Sequence, residues 1–189
     1  DLLWSPDSQS LAWSDGVGLW VVRPGEPARL VVENEPGGKS MGNYYWQQTW
    51  SPAGNYLLAR ARHFEGTDRV VVDILSGKAT VVPNSFEYSV PAAQITWLQD
   101  ERLFVVRPGL ETMNLVATGE SWRFDSHTSS LFLEGSFLIP VKASYPLSPF
   151  QIDETHLGFV MVNPDFANDQ ERGVYIFDIP RFQLSKVTG

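Results

Sequence analysis

The densest run of potential metal ligands in the chain is NPDFANDQER, residues 163–172. Asp165, Asn168, Asp169 and Glu171 are hard oxygen donors close together in sequence, the set that Ca2+ prefers. The run lacks the glycine and the ligand spacing of an EF-hand loop, and polar turns are commonly acidic for solvation alone. The three histidines, His63, His127 and His156, lie far apart, and none has the i+4 partner of a helical zinc site. There is no Cys, which removes disulfides, thiolate metal sites and a Cys nucleophile. The serine hydrolase elbow Gly-x-Ser-x-Gly is absent: GESWR at 119–123 fails at its last position. LSGKAT at 75–80 lacks the upstream glycine of a phosphate loop and reads as a Ser-Gly turn. No cofactor is expected beyond Ca2+ at 163–172, and a non-catalytic role is expected over an enzymatic one.

The elements that would position any site are legible as a repeat. LLWSPDSQSLAWS (2–14) lines up with QTWSPAGNYLLAR (48–60), which sets Trp4 and Trp50 apart by 46 residues. QITWLQDERLFVV (94–106) puts Trp97 a further 47 along, and FQIDETHLGFVMV (150–162) puts Phe150 where Trp stands in the others, 53 residues later. Each copy continues with further apolar runs, among them GLWVV, RVVVDI, MNLVA and GVYIFDI, separated by turns rich in Gly, Pro, Asp and Asn. In 174–179 both alternating sets are apolar, as in a sheet covered on both sides. No stretch keeps a helical apolar period.

Four short strands in about 45 residues is the spacing of a propeller blade. The motif WSPDSQSLAWS…GLWVVRPGEPARLV resembles the TolB-type, WD-like β-propeller repeat: Trp4, Ser5, Pro6 and Asp7 match its Trp-Ser-Pro-Asp-Gly, with Ser8 in place of glycine. The resemblance implies an all-β chain of four-stranded antiparallel blades, about four of them, at 1–32, 46–82, 94–124 and 150–188. The segment 125–149 is predicted to be a long insertion between blades. The chain 1–189 then forms one propeller domain or part of a larger propeller. In that reading Ser51–Asn55 is a tight turn and Trp50 packs between blades. The resemblance also implies a bacterial, extracytoplasmic setting.

The loops between second and third strands, and those between blades, differ most in length and open on one face of a propeller. Binding is expected there. That face is predicted to carry Tyr44, Tyr45, Trp46, His63, Phe64, Glu65, Asp68, Phe86, Tyr88 and Phe166, aromatics among acids that suit a protein, peptide or glycan. A formal net charge of -8 argues against nucleic acid, and no apolar run is long enough for a membrane helix. Self-association, or further blades outside the chain, is expected because no clasp strand is encoded.

Two functions compete. One is a non-catalytic binding or scaffolding propeller. The other is the substrate-filtering propeller of a prolyl-oligopeptidase-like serine hydrolase, whose catalytic domain lies outside these residues. A propeller-borne lyase site would need histidines that converge. Calorimetry with Ca2+ tests the 163–172 run. A bound ion is expected to release heat and raise the melting temperature, and both effects should vanish in Asp169→Asn.

Overall fold

The computed structural model describes residues 2–35, 43–87, 93–107, 117–139, 145–146, 150–162, 173–181 and 183–188. Every regular element among them is a β-strand. Sheet one holds β1 (Leu2–Trp4), β2 (Leu11–Ser14), β3 (Gly18–Val22) and β4 (Arg29–Glu33), paired in that order. Sheet two repeats this with β5 (Tyr44–Trp50), β6 (Tyr56–His63), β7 (Gly66–Asp73) and β8 (Ala79–Val81). Sheet three holds β9 (Gln94–Trp97), β10 (Arg102–Arg107), β11 (Ala117–Asp125) and β12 (Ser130–Ile139). In sheet four, β15 (His156–Val162), β16 (Gly173–Asp178) and β17 (Gln183–Thr188) follow a first strand that is split. Both halves of it, β13 (Tyr145–Pro146) and β14 (Phe150–Gln151), pair with β15. All pairing is antiparallel and, apart from β13 with β15, joins strands that are neighbours in the chain.

The repeat survives at the level of single hydrogen bonds. Trp4, Trp50 and Trp97 each end the first strand of a sheet, opposite Leu11, Leu57 and Leu103. The next residue donates its amide across the turn: Ser5 to the Ser10 carbonyl, Ser51 to Tyr56 and Leu98 to Arg102. In the two Trp-Ser-Pro copies the buried serine hydroxyl also accepts an amide, from Ser10 at 2.9 Å and from Tyr56 at 3.0 Å. The motif serine therefore satisfies a turn amide that the strands leave unpaired. Three residues on, Ser8, Gly54 and Glu101 share left-handed backbone, with φ of 58°, 75° and 65°. That explains the usual glycine of the motif.

Two sequence expectations are corrected. Gln151, not Phe150, stands opposite Leu157 and so holds the Trp position of sheet four. Phe150 pairs instead with Gly158, where a Cβ would come within 2.4 Å of its ring. The aromatic side chain that read as a degenerate Trp is one register step away, covering a glycine on the neighbouring strand. The stretch 125–149, read as an insertion, contains β12, the outermost strand of sheet three. Its apolar residues are split by Glu134, Gly135 and Ser136, which breaks the pattern that would mark a strand. The third-strand assignment to MNLVA falls at 113–117, of which 113–116 lie outside the described residues.

The chain divides into two compact units, 1–90 with 124–131, and 91–123 with 132–189. In the first, Ala12, Leu19 and Val21 of sheet one pack against Trp50, Leu57, Ala59 and Val72 of sheet two. The Trp50 indole donates to the Leu3 carbonyl at 3.0 Å, so the one polar atom of a buried ring is satisfied by the neighbouring sheet. In the second, Phe104, Leu157, Tyr175 and Phe177 form the core, with Phe137 stacked on Phe177 at 4.1 Å.

Two substitutions test the turn logic. Ser51→Ala is expected to lower unfolding free energy by about 1–3 kcal/mol, since it strands a buried amide. Ser8→Gly is expected to raise stability by up to about 1 kcal/mol by relieving left-handed strain, after the glycine's entropy cost. Urea unfolding of each variant measures both.

Candidate functional site

Of the predicted binding residues, Tyr44, Tyr45, Trp46, His63 and Asp68 fall in strands, Phe64 and Glu65 in the turn between β6 and β7, and Phe86 in the chain after β8. In HFEGTD (63–68), one of the connections between second and third strands where binding is expected, β6 runs to His63 and β7 starts at Gly66, so only Phe64 and Glu65 form the turn. Gly66 allows this closure, because a Cβ there would meet the Phe86 ring at 2.7 Å and the Glu87 carbonyl at 2.6 Å. Tyr44, Tyr45 and Trp46 likewise open strand β5.

Alternation along the strands then splits the set. Tyr45 points into the core of the first unit and is buried; burial and the nearby Glu35 charge raise its hydroxyl pKa. Its amide donates to Asn34 Oδ1 at 2.9 Å, which holds the entry to β5. Asp68, opposite Ala61, and His63 are anchored at the hairpin end. His63 Nε2 lies 3.2 Å from Asp68 Oδ2, and the imidazole stacks on Phe86 at 5.4 Å. These groups stiffen the turn that presents Phe64, which is 90% exposed, and the exposed Glu65.

The other face collects what sequence reading missed. Trp46 stands opposite Arg60, and Arg60 opposite Arg69; Tyr44 stands opposite Arg62. Two exposed aromatics on β5 therefore adjoin two exposed arginines on β6. The signal was present: Arg60 and Arg62 are two apart in a strand and must share a face.

Beside them, opposite Arg60, Arg69 is buried and paired. Its guanidinium pairs with Glu87 and donates to Gln48 Oε1 at 3.0 Å. Gln48 reaches it because a β-bulge between Gln47 and Thr49 turns that side chain out of register. The Arg69 amide donates to Ser85 Oγ at 2.9 Å, and its carbonyl accepts from the Val82 amide at 2.8 Å. Burial lowers the Arg69 pKa, and the Glu87 charge opposes that. Glu87 is also 3.9 Å from Arg60. Arg62 is exposed, and among the described residues it makes no ion pair. Trp46, Arg60, Arg62, His63 and Phe64 line an open groove of roughly 710 Å³.

A larger concavity, roughly 1200 Å³, lies at the opposite, short-turn end of the first unit. Arg23 and Glu26 from the β3–β4 connection and Arg29 at the start of β4, with Tyr56 and Asp73, line it. The Arg29 guanidinium donates to the Ile74 carbonyl. The short-turn end thus also presents charged and aromatic side chains.

Of the remaining predicted residues, Tyr88, Phe166, Asp165, Asn168, Asp169 and Glu171 lie outside the described residues. Among the described residues no three His, Asp or Glu side chains converge to hold a metal. His127 sits in the exposed β11–β12 turn, and His156 Nδ1 meets Asp153 at 2.9 Å. No described helix is long and apolar enough to cross a membrane.

Comparison with known proteins places the fold. No family model matches the sequence, and no curated protein matches it. Solved structures do match. A structure described as TolB from Agrobacterium tumefaciens aligns with a TM-score of 0.52 at 18% identity, over 98% of this chain and 63% of that one. The S511A mutant of puromycin hydrolase, complexed with PGG, aligns with a TM-score of 0.55 at 17% identity, over 98% of this chain and 28% of that one. Oligogalacturonate lyase from Vibrio parahaemolyticus aligns with a TM-score of 0.54 at 13% identity, over 98% of this chain and 50% of that one. The chain therefore spans 63% or less of each of these structures. The fold is a TolB-type β-propeller fold, and the sheets described above are its blades.

Two outcomes follow from these geometries. Arg69→Ala is expected to cost about 3–5 kcal/mol, because Glu87 loses its buried partner; Arg69→Met should cost less. Asp153 accepts from the Thr155 amide and from His156, which lower its pKa to about 2. A lowered folded-state pKa adds stability above the ordinary carboxylate value of roughly 3.9, and this is lost as pH falls toward 2. Asp153→Asn is expected to remove that part of the acid limb in a pH series of melting temperatures.

Proposed function

We propose that this chain is a non-catalytic binding module, and that its partner is a protein segment bearing acidic side chains, held on the Tyr44–Trp46–Arg60–Arg62 face of sheet two. The observation that carries this reading is the pairing of exposed aromatics with exposed arginines on one rigid sheet face. Trp, Tyr and Arg are the residue types that dominate interface energetics, because they combine large contact area with directed hydrogen bonding. Arg60 and Arg62 supply forked donors for carboxylates. The Arg69–Glu87–Gln48 network beside these residues holds the face in one conformation, so little ordering entropy is spent on association. An acidic segment is the partner of choice although the chain is acidic overall, because local charge at the face decides contact chemistry while net charge acts at long range. The TolB-type resemblance agrees with a bacterial, extracytoplasmic binding role.

A second reading takes its support from the likeness to puromycin hydrolase, of which this chain matches 28%. In it the blades belong to the propeller of a serine hydrolase. A Gly-x-Ser-x-Gly elbow in the surrounding reading frame is the observation that decides for it.

The first reading is tested by titrating the purified chain with extended peptides, one series Glu- and Asp-rich, one Lys-rich and matched in apolar content. Acidic peptides are expected to bind with salt-sensitive affinity. Trp46→Ala should cost about 2 kcal/mol of binding free energy or more. Arg62→Ala should reduce the salt dependence while leaving the melting temperature unchanged. Equal binding of both series, or binding indifferent to Trp46 and Arg62, overturns the proposal.

A further inference from the structure

Phe64 stands at the apex of the β6–β7 hairpin and is 90% exposed, with the exposed Glu65 beside it. The chain around them is pinned. His63 Nε2 meets Asp68 Oδ2 at 3.2 Å, diagonally across the two strands. The Phe86 ring stacks on the His63 imidazole at 5.4 Å and lies over Gly66. Thr67 and Glu87 exchange both main-chain hydrogen bonds, at 3.2 and 2.8 Å, which ties the hairpin to the chain that follows β8. A single exposed apolar residue on a loose turn needs no explanation. Here a large apolar side chain is held out in water by a turn that has little backbone freedom to fold it inward.

The groove that Phe64 borders changes chemistry along its length. At one end Trp46 and Arg60 form a cross-strand pair. Glu87 lies 3.9 Å from Arg60, so part of that arginine's charge is already met from within the chain. Two residues further along β6 comes Arg62, exposed and, among the described residues, without an ion pair. Two residues further again comes Phe64, and next to it Glu65. The order is aromatic, cation, apolar, anion. An extended partner segment advances about 7 Å in two residues, so its side chains i and i+2 match the spacing of positions 62 and 64.

We infer, in a step that rests on the acidic-segment reading above, that the partner segment is extended and carries an acidic residue two positions from a large apolar one, with no acidic residue beyond the apolar one. Its carboxylate pairs with Arg62, and its apolar side chain packs on Phe64. The residue between them points away from the groove. Glu65 repels a carboxylate placed past the apolar residue. Selectivity thus combines an attraction, an apolar contact and a repulsion, each from a different residue of one hairpin.

The test is fluorescence anisotropy with labelled extended peptides, titrated with the whole chain and with its Phe64→Ser and Glu65→Gln variants. The reference peptide has the pattern acid-x-acid-x-Leu. Replacing its Leu with Ser is expected to weaken binding about tenfold or more, the yield of burying such a side chain. Moving the Leu next to the second acid, with composition unchanged, is expected to weaken it as much, because successive side chains of an extended segment face opposite ways. The rearranged peptide acid-x-Leu-x-acid is expected to bind less tightly than the reference, and Glu65→Gln should narrow that difference. Phe64→Ser is expected to bind the Leu and Ser peptides alike, at an unchanged melting temperature. Leu and Ser peptides of equal affinity for the wild-type chain, or a Leu preference that persists in Phe64→Ser, overturn this inference and leave the acidic-segment reading in place. Equal binding of the rearranged and reference peptides overturns it as well. Acidic peptides that do not bind at all overturn both.

Discussion

Each sheet of this chain carries apolar side chains on both faces, and neither face can be left to water at low cost. That constraint organises the rest. The middle strands of sheet two are buried from both sides, with Leu57 and Val72 directed one way and Leu58 and Val71 the other. Burial of this kind stabilises by roughly 25 cal/mol per Å² of apolar surface, but only if a second sheet arrives with matching shape. Small residues at the crossing points, Ala12 and Ala59 among them, let the sheets approach. The Trp50 indole then spans the gap to the Leu3 carbonyl, which fixes both the spacing and the register of one sheet on the next.

The polar chemistry is subordinate to that packing. A buried arginine is tolerable because Gln48, Glu87 and Ser85 converge on Arg69. They converge because a bulge in β5 and the chain leaving β8 bring them there. The same arrangement leaves the neighbouring positions 60 and 62 on the solvent side of the strand. A face that combines rigid support with exposed Tyr, Trp and Arg is then a consequence of how the hairpin is anchored. Three glycines illustrate a related economy of space. Gly66, Gly119 and Gly158 each lie beneath a phenylalanine ring, Phe86, Phe137 and Phe150, in places where a side chain would collide. The rings shield backbone that glycine would otherwise expose.

Blade architecture was legible in the sequence because it rests on local chemistry repeated at a fixed period. Trp-Ser-Pro, a left-handed turn residue and a short apolar strand each act within a few residues, so their spacing identifies the unit. The positions of Trp4, Trp50 and Trp97 at strand ends were readable for that reason. Degenerate copies were not. Phe150 looked like the missing Trp because type and rough spacing agreed. Register depends on which residue pairs with Leu157, and that is a property of two strands together. β12 escaped notice for a similar reason, since Glu134, Gly135 and Ser136 interrupt its apolar residues and leave it no periodic signature of its own.

The candidate site divides along the same line. Sequence alone determined that aromatic and charged residues cluster in 44–46 and 63–68, and that Arg60 and Arg62 must share a face if they lie in a strand. Tertiary structure decided which of them meets solvent. Tyr45 went to the core while Tyr44 and Trp46 did not, because alternation puts neighbours on opposite faces and only one face of β5 is covered by sheet one. His63 and Asp68 became hairpin anchors because Gly66 permits a two-residue turn that brings them to diagonal positions across the two strands. Local sequence carries the period and the turn, whereas burial is settled by which surfaces meet, and those contacts join residues far apart in the chain.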